Sequence, residues 1–325
     1  MSSSAEPVEL PLAAATRRVL VLGGTGMLGS MVVDLLARRT GMRVTATARE
    51  EELAERFARR IPGVEWRLFD AWRADDSIDE KLLAGTDWVI NCIGILKPLI
   101  HDDNAFEVER ALRVNALLPL RLADATAGRA RVLQIATDCA YSGSRGRYRE
   151  EDAHDAIDVY GKTKSLGEAR AAHVHHLRCS ILGPEAKAPR SLLEWLLGQP
   201  RGGTVNGFVN HLWNGVTSLQ FARLCAGILE HEPALPHLQH IVPCGTVTKY
   251  EILQCLARDF GRDDLTVVPT EATVLLDRTL DTADERRNGE LWAAAGYVEP
   301  PTVPQMIAEL SRFDYRFARS DGSAG

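Results

Sequence analysis

The sequence predicts an α/β fold built on a doubly wound parallel sheet, and three observations carry that expectation. Short branched apolar runs alternate with helix-length amphipathic stretches through the first 180 or so residues, as strands buried on both faces by crossover helices require. The first run, Arg18 to Leu22, passes without a gap into glycines at positions 23, 26 and 29. Met27, Leu28, Met31, Val32 and Leu35 then recur at helical spacing.

In such a turn each glycine has its own task. One permits the tight bend, one lets backbone approach a pyrophosphate, and one lets the helix pack on its strand. Free N–H groups and the positive helix end then face an anion. This is the Rossmann-type arrangement for a dinucleotide, and Gly23, Thr25, Gly26, Met27, Leu28 and Gly29 are its expected cofactor-contacting residues.

Composition narrows the class further. The 325 residues are 45% hydrophobic and 25% charged, which suits a globular chain with a large core. A net charge of -6 with dispersed Lys and Arg argues against a nucleic-acid surface. The six cysteines contain no C-x-x-C pair, so reduced thiols are expected in place of a disulfide or zinc framework. No His/Asp/Glu cluster has metal-ligand spacing, and no metal is expected. Met1 to Thr16 lacks a basic start and fails as a secretory signal, and no apolar run reaches membrane-spanning length. A cytoplasmic location without membrane attachment is expected, with residues 1–16 and 316–325 as disordered ends.

Along the chain, Arg43 to Arg49 reads as the second strand. Its end holds no carboxylate for two ribose hydroxyls and holds Arg49 instead, which favours NADP(H) over NAD(H) because a guanidinium pairs with a 2′-phosphate. Val64 to Phe69 is a third strand ending at Asp70, which either accepts from an adenine amino group or caps the next helix. Asp87 to Gly94 is the fourth strand, with Asn91, Cys92, Ile93 and Gly94 at the end expected to open onto the cofactor. A helix follows from about Asn104, and its Asn115 either binds strand backbone or lies on the helix surface. The fifth strand, Arg131 to Thr137, places the Thr137 hydroxyl at the carboxyl edge, where open sheets bind ligands. Tyr160 and Lys164 then stand four apart, on one helical face. A nearby ammonium favours phenolate, so this pair with Thr137 makes an acid-base site around one oxygen.

The stretches GGTGMLGS (Gly23 to Ser30), ATDCAYSG (Ala136 to Gly143), VYGKTKSLGE (Val159 to Glu168) and LRCSILGPE (Leu177 to Glu185) together resemble the extended short-chain dehydrogenase/reductases, and among them the dTDP-4-dehydrorhamnose reductase branch. The resemblance implies hydride transfer between NAD(P)H and a nucleotide-linked 4-keto sugar, with Thr137, Tyr160 and Lys164 as the catalytic set and Tyr160 as proton donor. It also implies Asp138, Asn210, His211, Trp213 and Arg278 as substrate-contacting residues, with Asn214 beside the sugar-contacting group, Arg278 near the nucleotide diphosphate, and Arg190 and Arg201 as further candidates for that basic role. Asn115, Tyr160 and Lys164 join the cofactor contacts. Cys139 stands where the branch usually has an aromatic residue, and Asn91 to Gly94 departs from its small-residue run. One acidic residue after Thr137, where a 4,6-dehydratase has a pair, disfavours dehydration. An epimerase with the same triad, or a non-catalytic NADP-binding regulatory subunit, are the rival expectations. A homodimer is the assembly left open.

The later elements are expected as a sixth strand, Leu177 to Leu182, and helices Leu192 to Leu197, Ser218 to Glu230 and Thr248 to Phe260. A small strand Ile241 to Pro243, segments Leu265 to Val268 and Asp277 to Leu280, and a closing helix Val303 to Ser311 complete them. The expected division is a cofactor domain over residues 17–182, rejoined by 216–232, and a substrate lobe over 183–215 and 233–315.

Overall fold

The computed structural model describes residues 16–73, 78–185 and 191–317. Six strands, β1 (Arg17–Leu22), β2 (Met42–Ala48), β3 (Glu65–Leu68), β4 (Trp88–Asn91), β5 (Arg131–Ala136) and β6 (Val174–Arg178), form a sheet closed at one edge by Leu238–His240. From that edge the order runs 238–240, β6, β5, β4, β1, β2, β3, and every pairing is parallel. β1 sits between β2 and β4, with Val21 opposite both Ala46 and Ile90. The winding therefore reverses between β1 and β4, and a crevice opens there at the carboxyl ends of the strands.

Burial on both sides explains the composition of the central elements. Leu20, Val21 and Leu22 are fully buried. Helix α1 (Met27–Leu36) lies between the sheet and the helix Ser218–His231, so it has almost no polar face. Its one charged residue, Asp34, is fully buried and holds Arg38 Nε at 3.0 Å and Arg316 Nε at 2.6 Å, since a buried carboxylate needs charged partners. Arg316 and Phe317 therefore belong to the ordered body, against the expectation of a disordered 316–325 tail. Phe317 is fully buried against Phe57, ring centroids 6.5 Å apart. Residues 1–15 and 318–325 lie outside the described residues.

Several boundaries differ from those read off the sequence. β4 ends at Asn91 because the Asn91 side chain turns onto its own chain and accepts from Ile93 N at 3.0 Å. The expected sixth strand divides: β6 stops at Arg178, and Ile181–Leu182 pairs instead with Val216–Thr217. The edge strand is Leu238–His240, not Ile241 to Pro243, so this part of the predicted lobe lies in the main sheet. Its polar residues hid it, although Gln239 Nε2 is used on Thr282 Oγ1 at 3.1 Å and His240 Nδ1 on Asp281 O at 2.8 Å. The helix from Asn104 begins at Ala105, with Asn104 Oδ1 accepting from Phe106 N, and widens to a π-helical turn over Leu112–Leu117.

The lobe is built from short elements. His211–Trp213 is the middle of a three-stranded sheet between Val247–Thr248 and Leu276–Asp277, and Thr204–Phe208 pairs with Thr266–Thr270. Helix Lys249–Asp259 starts at a capping box of Thr248 and Glu251 and packs on Val303–Arg312. Among the described residues no helix is long and apolar enough to cross a membrane.

One buried histidine gives the sheet a pH signature. His176 on β6 is buried, with Nε2 on Ala169 O at 3.1 Å and Nδ1 unpartnered, and burial pushes its pKa from 6.5 down to about 4. Between those values the unfolded chain binds a proton that the folded chain refuses, so stability falls as pH drops, by about 1.4 kcal/mol per pH unit. Melting curves from pH 7 to pH 5 should show a shallower loss for His176→Gln than for wild type. Parallel slopes would remove His176 as the cause.

Candidate active site

The first glycine turn is fixed by close contacts. Gly23 has φ +76°, and its N–H donates to Thr47 Oγ1 at 2.9 Å. A Cβ on Gly29 would lie 2.2 Å from Gly23 O, whereas one on Gly26 would meet nothing nearer than 3.4 Å. Gly29 therefore allows α1 to touch β1, and the bare face of Gly26 is turned to open space. That space is a cleft of two adjoining cavities, of about 580 and 570 Å³, running along the carboxyl edge.

The first cavity is lined by Gly23, Thr25, Gly26, Arg49, Asp70, Cys92, Ile93 and Gly94, together with Trp72, Phe106 and Arg110, which sequence reasoning missed. Arg49, just past the end of β2, is exposed and has no hydrogen bond or ion pair to a described residue. Its charge is thus uncommitted at the edge of the cleft. Asp70 Oδ1 accepts from Trp72 N at 3.0 Å, so it makes a local turn while lining the cavity. Trp72 and Phe106 meet edge to face at 5.4 Å.

The second cavity shares Thr25, Gly26, Arg49, Cys92, Ile93 and Gly94 with the first and adds Met27, Leu28, Thr137, Asp138, Cys139, Tyr160, Lys164 and Cys179. Thr137 ends the extended run of β5 and caps a short 3-10 turn, accepting from Cys139 N at 3.2 Å and donating to Asp138 Oδ1 at 3.2 Å. Helix Val159–Leu166, capped by Asp158 on Gly161 N at 2.7 Å, brings Tyr160 alongside. Gly161 allows the approach, since a Cβ there would lie 2.2 Å from Cys139 O. The Tyr160 phenol lies beside the Thr137 hydroxyl, and Lys164 Nζ donates to Ile135 O at 3.0 Å.

Burial governs the electrostatics of this end. It pushes the Tyr160 phenol up, with only a minor opposing pull from Thr137, so the phenol stands protonated. The sequence-based expectation that Lys164 would favour the phenolate is corrected by that burial. Burial also lowers Lys164 to about 8, against the pull of Glu168, and the ammonium remains charged at neutral pH. Cys92 and Cys139 are pushed up to about 12 by burial, leaving neutral thiols. All six cysteines are free, and among the described residues no group of His, Cys, Asp and Glu could hold a metal ion.

Other expected contacts fall elsewhere. Asn91 is fully buried and joins β4 to β5, donating to Gln134 Oε1 at 2.8 Å. Asn115 does not line the cleft. It accepts from Ile95 N at 2.8 Å and donates to Ile95 O at 3.1 Å, holding the loop that does. Asn210, His211, Trp213 and Asn214 line neither cavity. Asn210 grips the Ala272 peptide, Asn214 the Leu280 peptide, and His211 reaches Val274 O, because irregular backbone in a small lobe needs side-chain partners. Arg278 also stands outside the cavities, with Nε donating to Tyr141 O at 2.9 Å. Arg201 is exposed on a turn, and Arg190 lies outside the described residues.

The separate tasks of the glycines are testable. Gly29→Ala should lower the melting temperature, while Gly26→Ala should leave it near wild type and still weaken nicotinamide-dinucleotide binding by more than about tenfold, as a methyl group at a close backbone approach would. Equal loss of thermal stability in both would contradict this division.

Comparison with known proteins places the chain. Residues 17–182, just over half of the 325, match the family model described as RmlD substrate binding domain. The methionine adenosyltransferase 2 subunit beta of Xenopus tropicalis is 24% identical over 257 residues, covering 75% of this chain and 72% of that protein. Among solved structures, a dTDP-4-dehydrorhamnose reductase from Bacillus anthracis in complex with NADP superposes with a TM-score of 0.65 at 16% identity, covering 91% of this chain and 98% of that one. A UDP-glucuronic acid 4-epimerase from Bacillus cereus, crystallised with NAD, gives 0.69 at 16% identity, covering 90% and 98%. These likenesses show a Rossmann-type fold, and the chain belongs to the family described as RmlD substrate binding domain.

Proposed function

We propose that the protein is an NAD(P)H-dependent reductase of a nucleotide-linked 4-keto sugar, with NADP(H) preferred. The observation that carries this reading is the meeting of Thr137, Tyr160 and Lys164 at one end of a cleft whose other end runs to the glycine turn and Arg49. The bare Gly26 and the uncommitted guanidinium of Arg49 fit a dinucleotide carrying a 2′-phosphate. When bound, the reduced nicotinamide supplies the hydride. The chain's own part is to hold the carbonyl and deliver a proton. Tyr160, kept protonated by burial, donates to the developing alkoxide, Thr137 orients the same oxygen, and Lys164 supplies positive charge as the phenolate forms.

The similar Xenopus protein, named as a subunit of a methionine adenosyltransferase, favours a second reading as a non-catalytic nucleotide-binding subunit. The solved epimerase keeps a third in view, in which the same triad returns the hydride. Net cofactor consumption separates the reductase from the other two. Loss of 340 nm absorbance from NADPH should follow addition of one member of a panel of nucleotide-linked 4-keto sugars, and Tyr160→Phe should lower turnover at least about a hundredfold while binding NADPH normally, as loss of a positioned acid does. Turnover at the wild-type rate in that variant would sink the assignment. Binding without net oxidation by any member would move weight to the subunit or the epimerase.

A further inference from the structure

We infer that Glu168 and Arg178 are positioning residues for Lys164: together they clamp the last turn of the Tyr160 helix to β6 and hold a carboxylate behind the lysine that keeps its ammonium charged in a buried site. The use of that charge in turnover rests on the reductase reading.

The clamp follows from how the helix ends. Lys164 lies in the last turn of Val159–Leu166 and is buried, with one N–H spent on Ile135 O at 3.0 Å. Gly167 then presses the chain against the π-helical turn, since a Cβ there would stand 2.1 Å from Asn115 O. Glu168 comes next, four residues after Lys164, a spacing that sets two side chains on one face of a turn. Its N–H donates back to Ser165 O at 3.2 Å. The Glu168 carboxylate is 12% exposed and pairs with Arg178, the last residue of β6, whose side chain is fully buried.

Arg178 cannot swing away from this place. A guanidinium only donates, so the contact of Nη2 with His154 Nε2 at 2.8 Å makes that nitrogen the acceptor and leaves the proton on Nδ1, which donates to Ser165 Oγ at 2.6 Å. Ser165 O is already the acceptor for Glu168 N. A ring through Glu168, Arg178, His154 and Ser165 therefore closes on the turn that carries Lys164. Nη1 is fixed from the other side, on Tyr141 OH at 2.6 Å and His240 Nε2 at 3.1 Å. A charge-assisted pair held at both ends gives the carboxylate one position.

That position decides the charge of the lysine. Burial drives Lys164 toward its neutral form and Glu168 opposes it. Among the described groups that face Lys164, Glu168 is the one that carries a negative charge. Cys92, at the end of β4, is a neutral thiol, Tyr160 a neutral phenol, and His176 on β6 is kept uncharged by its own burial. Burial also opposes the charge of Glu168, but Arg178 outweighs it, with lesser pulls from His154 and His176. His237 and Tyr141 also face Glu168 and are held neutral by burial. Arg178 acts on Glu168 and is not among the groups acting on Lys164, so the pair turns its negative end to the lysine.

The test is the proton affinity of Lys164 itself. In the full chain carrying ¹³C-labelled lysine, the Lys164 Cε resonance, assigned by its loss in Lys164→Arg, is followed by NMR as the pH is raised. Wild type should titrate near pH 8. Glu168→Gln combined with Arg178→Met removes both charges at similar volume and leaves no buried guanidinium unpaired. It should move the midpoint down by at least about half a pH unit, about a threefold loss in proton affinity. A folded double variant with the wild-type midpoint would overturn the inference and reduce the pair to a structural clamp. Should the double variant fail to fold, the wild type alone decides: a midpoint near 8 upholds the hold of the carboxylate on the ammonium, and one at or below pH 7 overturns it. Where a nucleotide-linked sugar is turned over, the alkaline fall in kcat should shift with the Lys164 midpoint. Absence of NADPH oxidation with the midpoint moved as expected would strike the reductase reading and leave the role of Glu168 and Arg178 standing.

Discussion

The contact on which the rest of the structure depends is that between the Gly23 carbonyl and helix α1 at Gly29. A Cβ at residue 29 would stand 2.2 Å from that oxygen, so only glycine lets the first helix start directly against the first strand. That approach sets the angle at which α1 leaves the sheet, and with it the fit of the helix against Ser218–His231. The wholly apolar burial of Val32, Val33 and Leu36 follows from being held between two layers. The same approach leaves Gly26 bare at the reversal of winding between β1 and β4, and the cleft exists because nothing fills that point.

A second close approach performs the corresponding task at the other end. Gly161 lets the helix of Tyr160 and Lys164 touch the turn that begins at Thr137, and burial does the rest, holding the phenol protonated and lowering the lysine to about 8. Behind this helix the Arg178 guanidinium, fully buried, pairs with Glu168 and reaches His154 Nε2 at 2.8 Å, Tyr141 OH at 2.6 Å and His240 Nε2 at 3.1 Å. His240 in turn bonds Asp281 O at 2.8 Å. One charged network thus joins the catalytic helix, the sheet edge and the lobe segment that carries Arg278. Breaking such a network leaves an unpaired buried charge, which costs about 3–5 kcal/mol.

The sequence made the parallel core legible because apolar strands and periodic helices carry their own signal, and glycine spacing marks close approaches that no other residue tolerates. Thr137, Tyr160 and Lys164 lie together on the cleft because the motif spacing and the strand end both constrain them. What stayed hidden was satisfied by tertiary partners. Leu238–His240 did not read as a strand because two of its three residues are polar, and their partners come from residues 281 and 282. Asn210 and Asn214 read as ligand groups because an amide in a loop looks the same whether it grips a sugar or a peptide. Thr47, a hydroxyl inside an apolar strand, was visible but unread; it accepts from Gly23 N.

The central claim is that the cleft from Arg49 to Tyr160 is a dinucleotide site read by the glycine turn. Titration of the wild-type chain with NADPH and with NADH, followed by nucleotide fluorescence, tests it most directly. The account predicts saturable binding of both, tighter for NADPH, with that difference abolished in Arg49→Ala. Absence of binding to either nucleotide by a folded wild-type protein would contradict it.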